Sequence, residues 1–297
     1  DTPDRPDAPD QAPADLAGCH DALLRRTERL VRRGDLPVGG LGQRWRGQFV
    51  QQSAPMARQW QAWRHELSEP AKPRQVTADL EGITLDDWLD ELRQAPGAQG
   101  ADGVNPPVWL TLDARRLCAF DKAAKALRPV AHKLVRPWLR MLVAGACGIE
   151  LEGRIVARDA LLVLAPPRKA VAEVVLDDLL GVWEQGMLQP LSVACRTALV
   201  WLTQRDAAPE QPDKAEDAAR TAYEGGHTGR GENQDAALAR LFPDWDTLRA
   251  DPAFDQWAER LYEPLRAWAC DEDCVQVLPL PDADPGEDDD DEDARDD

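Results

Sequence analysis

Two acidic positions near predicted strand ends have the residue types that metal-dependent phosphodiester cleavage uses. Asp90 ends the segment DDWLD, and Asp113-Ala114-Arg115 follows the segment VWLTL. Magnesium-dependent nucleases place an acid on one strand and a D-x-K or E-x-K pattern on the next, where the carboxylates bind the hard cation and the lysine supports the attacking water. Arg115 has the lysine position here, and its guanidinium is larger, planar and permanently charged. The pattern indicates either such a site without its lysine or acids that lie in solvent at strand ends.

A glycine-rich stretch, AYEGGHTGRGEN (residues 222–233), is the second candidate, because glycines beside an arginine can cradle a phosphate. No strand pattern precedes it and no lysine-serine pair follows it, so it is not a phosphate loop of the G-x-x-x-x-G-K-[ST] type. We interpret it as a connector between helices, with Gly225 or Gly226 as a left-handed helix stop and Asn233 as an N-cap. Arg230 could contact a phosphate or a carboxylate.

Two groups of basic residues could follow a phosphate backbone. In the first, Arg26, Arg29 and Arg33 share one face of a predicted helix. The second lies between residues 121 and 140, where one acid, Asp121, stands against many cations. The predicted DNA-binding residues are therefore Arg26, Arg29, Arg33, Lys125, Arg128, Lys133, Arg136, Arg140 and Arg230. Each group could instead be a solvated helix face, which is the more common role of a run of charges. No metal site is predicted, because the scattered cysteines lack zinc-site spacing.

The net charge of −19 is concentrated at the two ends of the chain. Residues 282–297 hold 11 acidic residues and one arginine, and residues 1–15 hold five acidic residues and one arginine, which leaves −5 for residues 16–281. We expect both end segments to be solvated and disordered. The overall acidity therefore does not exclude DNA as a partner of the body. We expect a cytoplasmic protein with no membrane partner, since the start does not resemble a signal peptide and the apolar runs are far shorter than a bilayer span.

The elements that would position these residues predict an α/β (α+β) fold. A helix over 15–33, capped by Asp15, precedes a second amphipathic helix with Phe49, Met56, Trp60 and Trp63. A hairpin is predicted around Glu81-Gly82, and a strand in PPVWLTLDARRL.

The second half of the chain is predicted to be mainly helical. A helix over about 129–146 leads to one strand in RIVARDALLVLAPP, and everything after Pro167 is predicted to be helical. Asp213, Asn233 and Asp251 are the expected helix caps in this part.

Four segments occur at compatible spacing and in the order RRGDLPVGGLG (32–42), LSVACRTALVWL (191–202), TAYEGGHTGRGENQDAALARLFPDW (221–245) and ERLYEPL (259–265). Together they resemble the C-terminal region of the RecC family, the gamma subunit of exodeoxyribonuclease V (RecBCD). The resemblance covers about residues 16–269, and the run at 221–245 is its most specific part.

The resemblance implies a degenerate PD-(D/E)XK nuclease-like core with an α-helical C-terminal extension. In this interpretation the core is about 16–167, the extension about 168–270, and residues 1–15 and 271–297 are acidic end segments. No residue would be catalytic, and Asp90, Asp113 and Arg115 would be relics of a nuclease site.

For function, the resemblance implies a non-catalytic subunit that contacts RecB-like and RecD-like subunits in a heterotrimer. It would guide and split duplex DNA ends in double-strand break repair by homologous recombination. The chain itself would need no cofactor, and other subunits would use ATP and Mg²⁺. Two alternatives stay open: a magnesium-dependent DNA nuclease using Asp90 and Asp113, and an interaction module whose acidic tail mimics DNA or binds basic partners.

Overall fold

The computed structural model describes residues 16–80, 83–97, 106–226 and 229–281. The helices within these ranges are Leu16–Arg33 (α1), Gly40–Glu66 (α2), Val135–Ala146 (α3), Lys169–Leu188 (α4), Cys195–Ala207 (α5), Pro212–Glu224 (α6), Ala236–Leu241 (α7), Trp245–Arg249 (α8) and Phe254–Cys270 (α9). The strands are Glu69–Pro70 (β1), Arg74–Leu80 (β2), Ile83–Leu89 (β3), Leu92–Gln94 (β4), Val108–Leu112 (β5), Cys118–Asp121 (β6), Ala126–Pro129 (β7), Glu152–Val156 (β8), Ala160–Leu164 (β9), Gly225–Gly226 (β10), Gly229–Arg230 (β11) and Val275–Pro279 (β12).

The main sheet has the strand order β1-β4-β5-β8-β9-β12. Strands β5 and β8 are parallel, with Val108 opposite Glu152, and the other described neighbours in this sheet are antiparallel. Helix α3 lies between β5 and β8 in the chain, as a parallel pair requires a crossover connection. The pairs β2–β3, β6–β7 and β10–β11 form separate hairpins. The predicted mixed α/β class is thus confirmed.

Helices cover both faces of this sheet. Side chains alternate along a strand, so Trp109 of β5 packs in one core cluster with Trp138 of α3 and Trp268 of α9. Val108 and its face-mates on the other side of the sheet pack against Met56 and other residues of α2. The sheet is therefore the middle layer of three.

A second apolar core lies among the helices that follow α4. Trp201, Trp245 and Phe254 are buried there, and Phe254 packs edge-to-face with both tryptophans at centroid distances of 5.7 and 5.4 Å. Leu176 of α4 and Trp268 of α9 are buried instead with the sheet. The sheet core is thus not confined to residues 16–167, because two helices of the predicted extension complete it.

Several predicted elements are confirmed. Helix α1 occupies the predicted range, and the strand predicted in PPVWLTLDARRL is β5. The β2–β3 ladder runs to the pair Leu80 and Ile83, which confirms the hairpin, although the turn at 81–82 lies outside the described residues. The expected cap Asp15 lies outside them too. The helix expected over 129–146 starts as a 3-10 helix at Ala131–Leu134 and becomes α-helical at Val135.

The single strand expected in RIVARDALLVLAPP is wrong, since this segment forms the antiparallel pair β8–β9. Its apolar run continues across the turn, so the sequence pattern hides the reversal. Asp159 in the turn accepts hydrogen bonds from the backbone N–H groups of Leu117 and Cys118, at 3.0 and 2.8 Å. These bonds tie the turn to the chain that follows β5.

The expectation that only helices follow Pro167 is also wrong. Strand β12 pairs with β9 along its whole length, from Val275 opposite Leu164 to Pro279 opposite Ala160. Val275 and Leu280 are buried. Residues 271–281 therefore belong to the fold rather than to an acidic tail, because their apolar side chains close the sheet. Residues 1–15 and 282–297 lie outside the described residues.

The three expected helix caps, Asp213, Asn233 and Asp251, are all wrong. Helix α6 has Gln211 as its N-cap and Asp213 in its first turn. Helix α7 is capped by Asp235, whose carboxylate accepts from the N–H groups of Ala237 and Leu238. Helix α9 has Ala253 as its N-cap, without a side-chain cap bond, and Asp251 accepts the backbone N–H of Ala253 in the turn before the helix.

We predict that ending the chain at residue 270 destabilises it by several kcal/mol relative to a chain that ends at residue 281. The longer chain keeps β12 and the buried side chains of Val275 and Leu280, each worth about 1.5–3 kcal/mol on burial. The shorter chain exposes the edge of β9, which also favours aggregation. Urea unfolding followed by tryptophan fluorescence measures the difference. Equal unfolding midpoints for the two chains would contradict the role given to β12.

Candidate functional site

Asp113 is the first residue after β5, and its backbone N–H donates to the carbonyl of Val156 in β8 at 2.9 Å. Arg115 binds both of its carboxylate oxygens, with Nε 3.1 Å from Oδ1 and Nη2 2.8 Å from Oδ2. The backbone N–H of Arg115 adds a third bond to Oδ1 at 2.9 Å. Arg115 thus holds Asp113 in a bidentate ion pair.

The pKa of the Asp113 carboxyl reflects these contacts. Partial burial acts to raise that pKa, but the hydrogen bonds and charge of Arg115, with the charge of Lys133, outweigh burial and lower it below its ordinary value of 3.8. Lys133 comes from the 3-10 helix that precedes α3. The carboxylate is therefore ionised at neutral pH and already balanced by cations of the chain.

Asp90, the other predicted acid, lies in the short connection between β3 and β4. Arg140 of α3 donates to its backbone carbonyl and to Oδ1, the latter at 3.2 Å. The guanidinium carbon of Arg140 also lies 4.9 Å from the centroid of the Trp109 ring, a cation–π distance. Arg140, a predicted DNA contact, thus links helix α3 to the sheet and to Asp90.

These residues do not fit a magnesium site. A hard cation needs free carboxylate oxygens, but both oxygens of Asp113 accept from Arg115, and Arg140 contacts Asp90. Two guanidinium groups would also repel a cation placed between the acids. Within the ranges that the structure describes, no group of three His, Cys, Asp or Glu side chains could hold a metal ion.

The glycine-rich stretch is organised around Glu232, a residue that sequence reasoning missed. Its carboxylate accepts the backbone N–H groups of Arg196 and Thr197 at 2.9 and 2.7 Å, and the Thr197 hydroxyl at 2.7 Å. These N–H groups belong to the first turn of α5, whose own N-cap, Ala194, makes no side-chain cap bond. Glu232 therefore caps α5 from 35 residues further along the chain, with favourable charge at the helix N-terminus.

The same stretch receives a return contact from α5. Arg196 donates Nη2 to the carbonyls of Ala222 and Arg230. Gly225 has the left-handed φ of 86° that was expected of a helix stop at this point. At Gly231 a Cβ atom would lie 2.3 Å from the carbonyl oxygen of Tyr223, so only glycine fits. The connector thus holds α5 and α6 together through these contacts.

The interpretation of Asn233 as the cap of the next helix is wrong. Asn233 lies in a 3-10 turn and donates its side-chain N–H to the Pro243 carbonyl at 3.1 Å, while Asp235 caps α7. The sequence signal for this N-cap was ambiguous, because Asn233 and Asp235 are both good capping residues and lie two positions apart. The absence of a capping side chain at 194 was the one sequence clue that α5 needs a partner elsewhere.

The predicted basic groups are arranged differently from one another. Arg26, Arg29 and Arg33 are all exposed along α1. The second group is divided among the β6–β7 turn, β7, the 3-10 helix before α3 and α3 itself, and Arg230 lies apart from both groups. Lys125 is in the β6–β7 turn with a positive φ of 53°, Arg136 is exposed on α3, and Arg230 is exposed on β11.

Besides Arg140, which contacts Asp90, two further members of the second group lie beside acids. Arg128 lies 3.8 Å from the Asp121 carboxylate and 4.0 Å from that of Glu272, both partly solvated pairs. Lys133 lies near enough to Asp113 to influence its pKa. The structure therefore does not bring residues 121–140 into one continuous basic stripe.

We predict that Arg115→Gln raises the pKa of the Asp113 carboxyl. In the native chain this pKa is lowered. The ionised carboxylate therefore stabilises the fold at pH values above the ordinary pKa of an aspartate, and this stabilisation is lost as the pH falls through the native pKa. In the variant the native pKa lies closer to the unfolded value, so the loss of stability between neutral and acid pH should be smaller than in the native chain. Carboxyl NMR titration with thermal melts measures both, and Arg136→Gln is the control. An unchanged Asp113 midpoint would show that Arg115 does not hold the acid.

We predict that Glu232→Ala lowers the free energy of unfolding by about 1–2 kcal/mol, the cost of losing a helix cap. Glu232→Gln should lose less, because it keeps an acceptor oxygen but loses the charge. The control is Glu210→Ala, an exposed acid between α5 and α6. Denaturant unfolding measures all three. A loss no larger than that of the control would remove the capping role.

A comparison with known families gives one match. The model of the RecC C-terminal domain matches residues 11–206, about two thirds of the chain. The match runs through α1 to α5, so it includes two of the four resembling segments, and the segments at 221–245 and 259–265 lie beyond it. No curated protein matches the chain. None of the described helices is long and apolar enough to cross a membrane.

RecC belongs to the exodeoxyribonuclease V (RecBCD) complex, which acts in DNA repair. The resemblance seen in the sequence is therefore confirmed over most of the length of the chain, from the first helix to the end of α5. On this match, the chain belongs to the RecC C-terminal domain family.

Proposed function

We propose that this chain is the C-terminal part of a non-catalytic gamma subunit of a RecBCD helicase-nuclease. It contacts RecB-like and RecD-like subunits as a scaffold and guides the ends of duplex DNA during double-strand break repair by homologous recombination. The family match supports membership of such a complex. The role within the complex rests on the surface of the chain.

The observation that carries the scaffold role is an apolar face of α2 that extends beyond the sheet. In the second half of the helix, Met56 and Trp63 are buried against the sheet. At helical spacing of three or four residues, the same face continues toward the N-terminus as Leu41, Trp45 and Phe49. These three side chains are 55%, 52% and 49% exposed.

Such a face favours a protein partner. Contiguous exposed apolar surface with a polar surround marks interaction sites, and aromatic residues are enriched in interface cores. The sequence left open whether the 11 tryptophans serve the core or a partner. Most of the described ones are buried, whereas Trp45, Trp88 and Trp183 are more than half exposed. Core packing therefore accounts for most tryptophans. Of the three exposed ones, Trp45 lies on an apolar helix face together with another aromatic residue, Phe49.

The contacts of the two acids support a relic nuclease core. A parallel β5–β8 pair with α3 between its strands places Asp113 at a strand end, where a catalytic acid could stand. The arginine at position 115 and the Arg140 contact with Asp90 use these acids for structure instead. This arrangement favours the non-catalytic role over the nuclease.

The DNA-guiding role is supported mainly by α1. Arg26, Arg29 and Arg33 are exposed on one side of this helix, and cations spaced in this way suit the regular charge of a phosphate backbone. Of the other predicted contacts, Lys125, Arg136 and Arg230 are exposed as well, whereas Arg140 is engaged in the fold.

We predict that Trp45→Glu weakens assembly of the complete complex by about 30-fold or more, the effect of losing an interface hot spot of about 2 kcal/mol. Affinity between this subunit and its RecB-like and RecD-like partners is measured by titration with purified proteins. Trp88→Glu, at an aromatic of similar exposure on the β2–β3 hairpin, is the matched control. Both variants should unfold at the wild-type temperature.

Two outcomes would contradict the proposed role. Unchanged assembly with Trp45→Glu would remove α2 as the partner surface. Magnesium-dependent cleavage of linear duplex DNA by this chain alone, abolished by Asp113→Ala, would replace the scaffold with the nuclease alternative.

A further inference from the structure

Helix α1 presents cations without matching anions. Arg26, Arg29 and Arg33 are exposed on one side of the helix at spacings of three and four residues, and we call these three residues the arginine face. No described carboxylate forms an ion pair with them. The ion pair between Arg32 and Glu28 on this helix is long, at 3.9 Å, and strongly exposed. Residues 16–66 contain nine arginines and four acidic residues, so the two helices carry a net positive charge.

The position of α1 on α2 is fixed by specific contacts. Arg46 of α2 donates to the Thr27 hydroxyl at 3.0 Å, and the thiol of Cys19 donates to the Gln61 side chain at 2.8 Å. The two helices are therefore antiparallel. The arginine face lies beside the N-terminal half of α2, and the start of α1 lies beside its C-terminal half.

The last described residues of the chain reach the same helix. Leu280 is only 5% exposed and packs in one cluster with Met56 and Trp63 of α2. The segment 282–297, with 11 acidic residues and one arginine, therefore follows directly from a point on α2. The negative charge of this segment is thus tethered to α2, the helix on which α1 packs.

The distance between the two is within reach of this segment. From the level of Trp60 to the start of α2 at Gly40 is about 30 Å, at 1.5 Å per helical residue. Sixteen residues can span up to about 53 Å when extended. One exposed ion pair contributes little in water, but several pairs form together when the anions are tethered, because tethering gives an effective concentration in the millimolar range.

We propose that the acidic segment 282–297 binds the arginine face of α1 and competes there with nucleic-acid phosphates. The contact is ionic and sequence-tolerant, so it is screened at high salt. The segment would act as a built-in competitor that only a polyanion of high charge density, such as duplex DNA, displaces. The contact with α1 does not rest on the scaffold role, and its test uses neither DNA nor partner subunits.

The test is the rate at which phenylglyoxal modifies individual arginines of the full chain, resolved by mass spectrometry. The wild type is compared with a variant whose 11 acids in 282–297 are replaced by Asn or Gln. At low salt we expect modification of Arg26, Arg29 and Arg33 to be at least threefold faster in the variant. Arg136 and Arg240, exposed on other helices, should change by less than half as much. At about 0.5 M salt the difference should disappear, since the Debye length is then only a few ångströms.

A matched control separates this segment from the other acidic end of the chain. A second variant replaces the five acids of residues 1–15, which directly precede α1, and should leave the rates at the arginine face unchanged. The proposal is overturned if the α1 arginines respond no more than Arg136 and Arg240. It is equally overturned if protection is lost with the acids of 1–15 and retained without those of 282–297. Either failure leaves the assembly experiment on Trp45 unaffected.

Discussion

The rest of the structure depends on the need to bury both faces of the parallel β5–β8 pair. Parallel strands are stable in proteins when helices cover both of their faces. Here α2 covers one face, and α3 with α4 and α9 covers the other. Strand β12 closes the sheet beside β9 with residues from the far end of the chain. The sheet therefore recruits both ends of the described chain, and α2 can extend beyond it because the sheet covers only part of the length of this 27-residue helix.

The two acids near strand ends take part in structural contacts with arginines. A lysine at position 115 would present one flexible point charge, whereas the planar guanidinium of an arginine can bind both oxygens of Asp113 at once. Arg140 donates to the backbone carbonyl and to one carboxylate oxygen of Asp90, while its guanidinium lies over the Trp109 ring. The contact of Arg140 joins segments 50 residues apart in the chain, whereas that of Arg115 is local, and each guanidinium offsets the charge of an acid. Some of the cations predicted to bind DNA thus make structural contacts with acids instead. Only the exposed cations remain candidates for binding DNA phosphates.

The glycine-rich stretch likewise makes structural contacts where its composition suggested a binding site. Its composition suggests a phosphate cradle, but its glycines allow close backbone packing and its acid, Glu232, takes the place that a phosphate would have at a helix N-terminus. A bound anion and a capping glutamate satisfy the same N–H groups. The stretch therefore keeps the electrostatics of an anion site, with the anion supplied by the chain.

The sequence by itself determined the local structure and the lineage. Helical periodicity predicted α1, α2 and α4, turn residues predicted the β2–β3 hairpin, and four short segments indicated the RecC C-terminal domain family. It also has Arg115 at the position that a lysine occupies in a D-x-K pattern. These features are local, and propensity and spacing are read within a few residues.

Only the tertiary structure decided which distant residues meet. No periodicity could show that 275–279 pairs with β9, that Arg140 contacts Asp90, or that Glu232 caps a helix 35 residues earlier. The turn between β8 and β9 was hidden because an apolar run looks the same in one strand or two. Partners of charges and edges of sheets are set by the folded path of the chain, since they depend on which surfaces the sheet leaves open after both of its faces are covered.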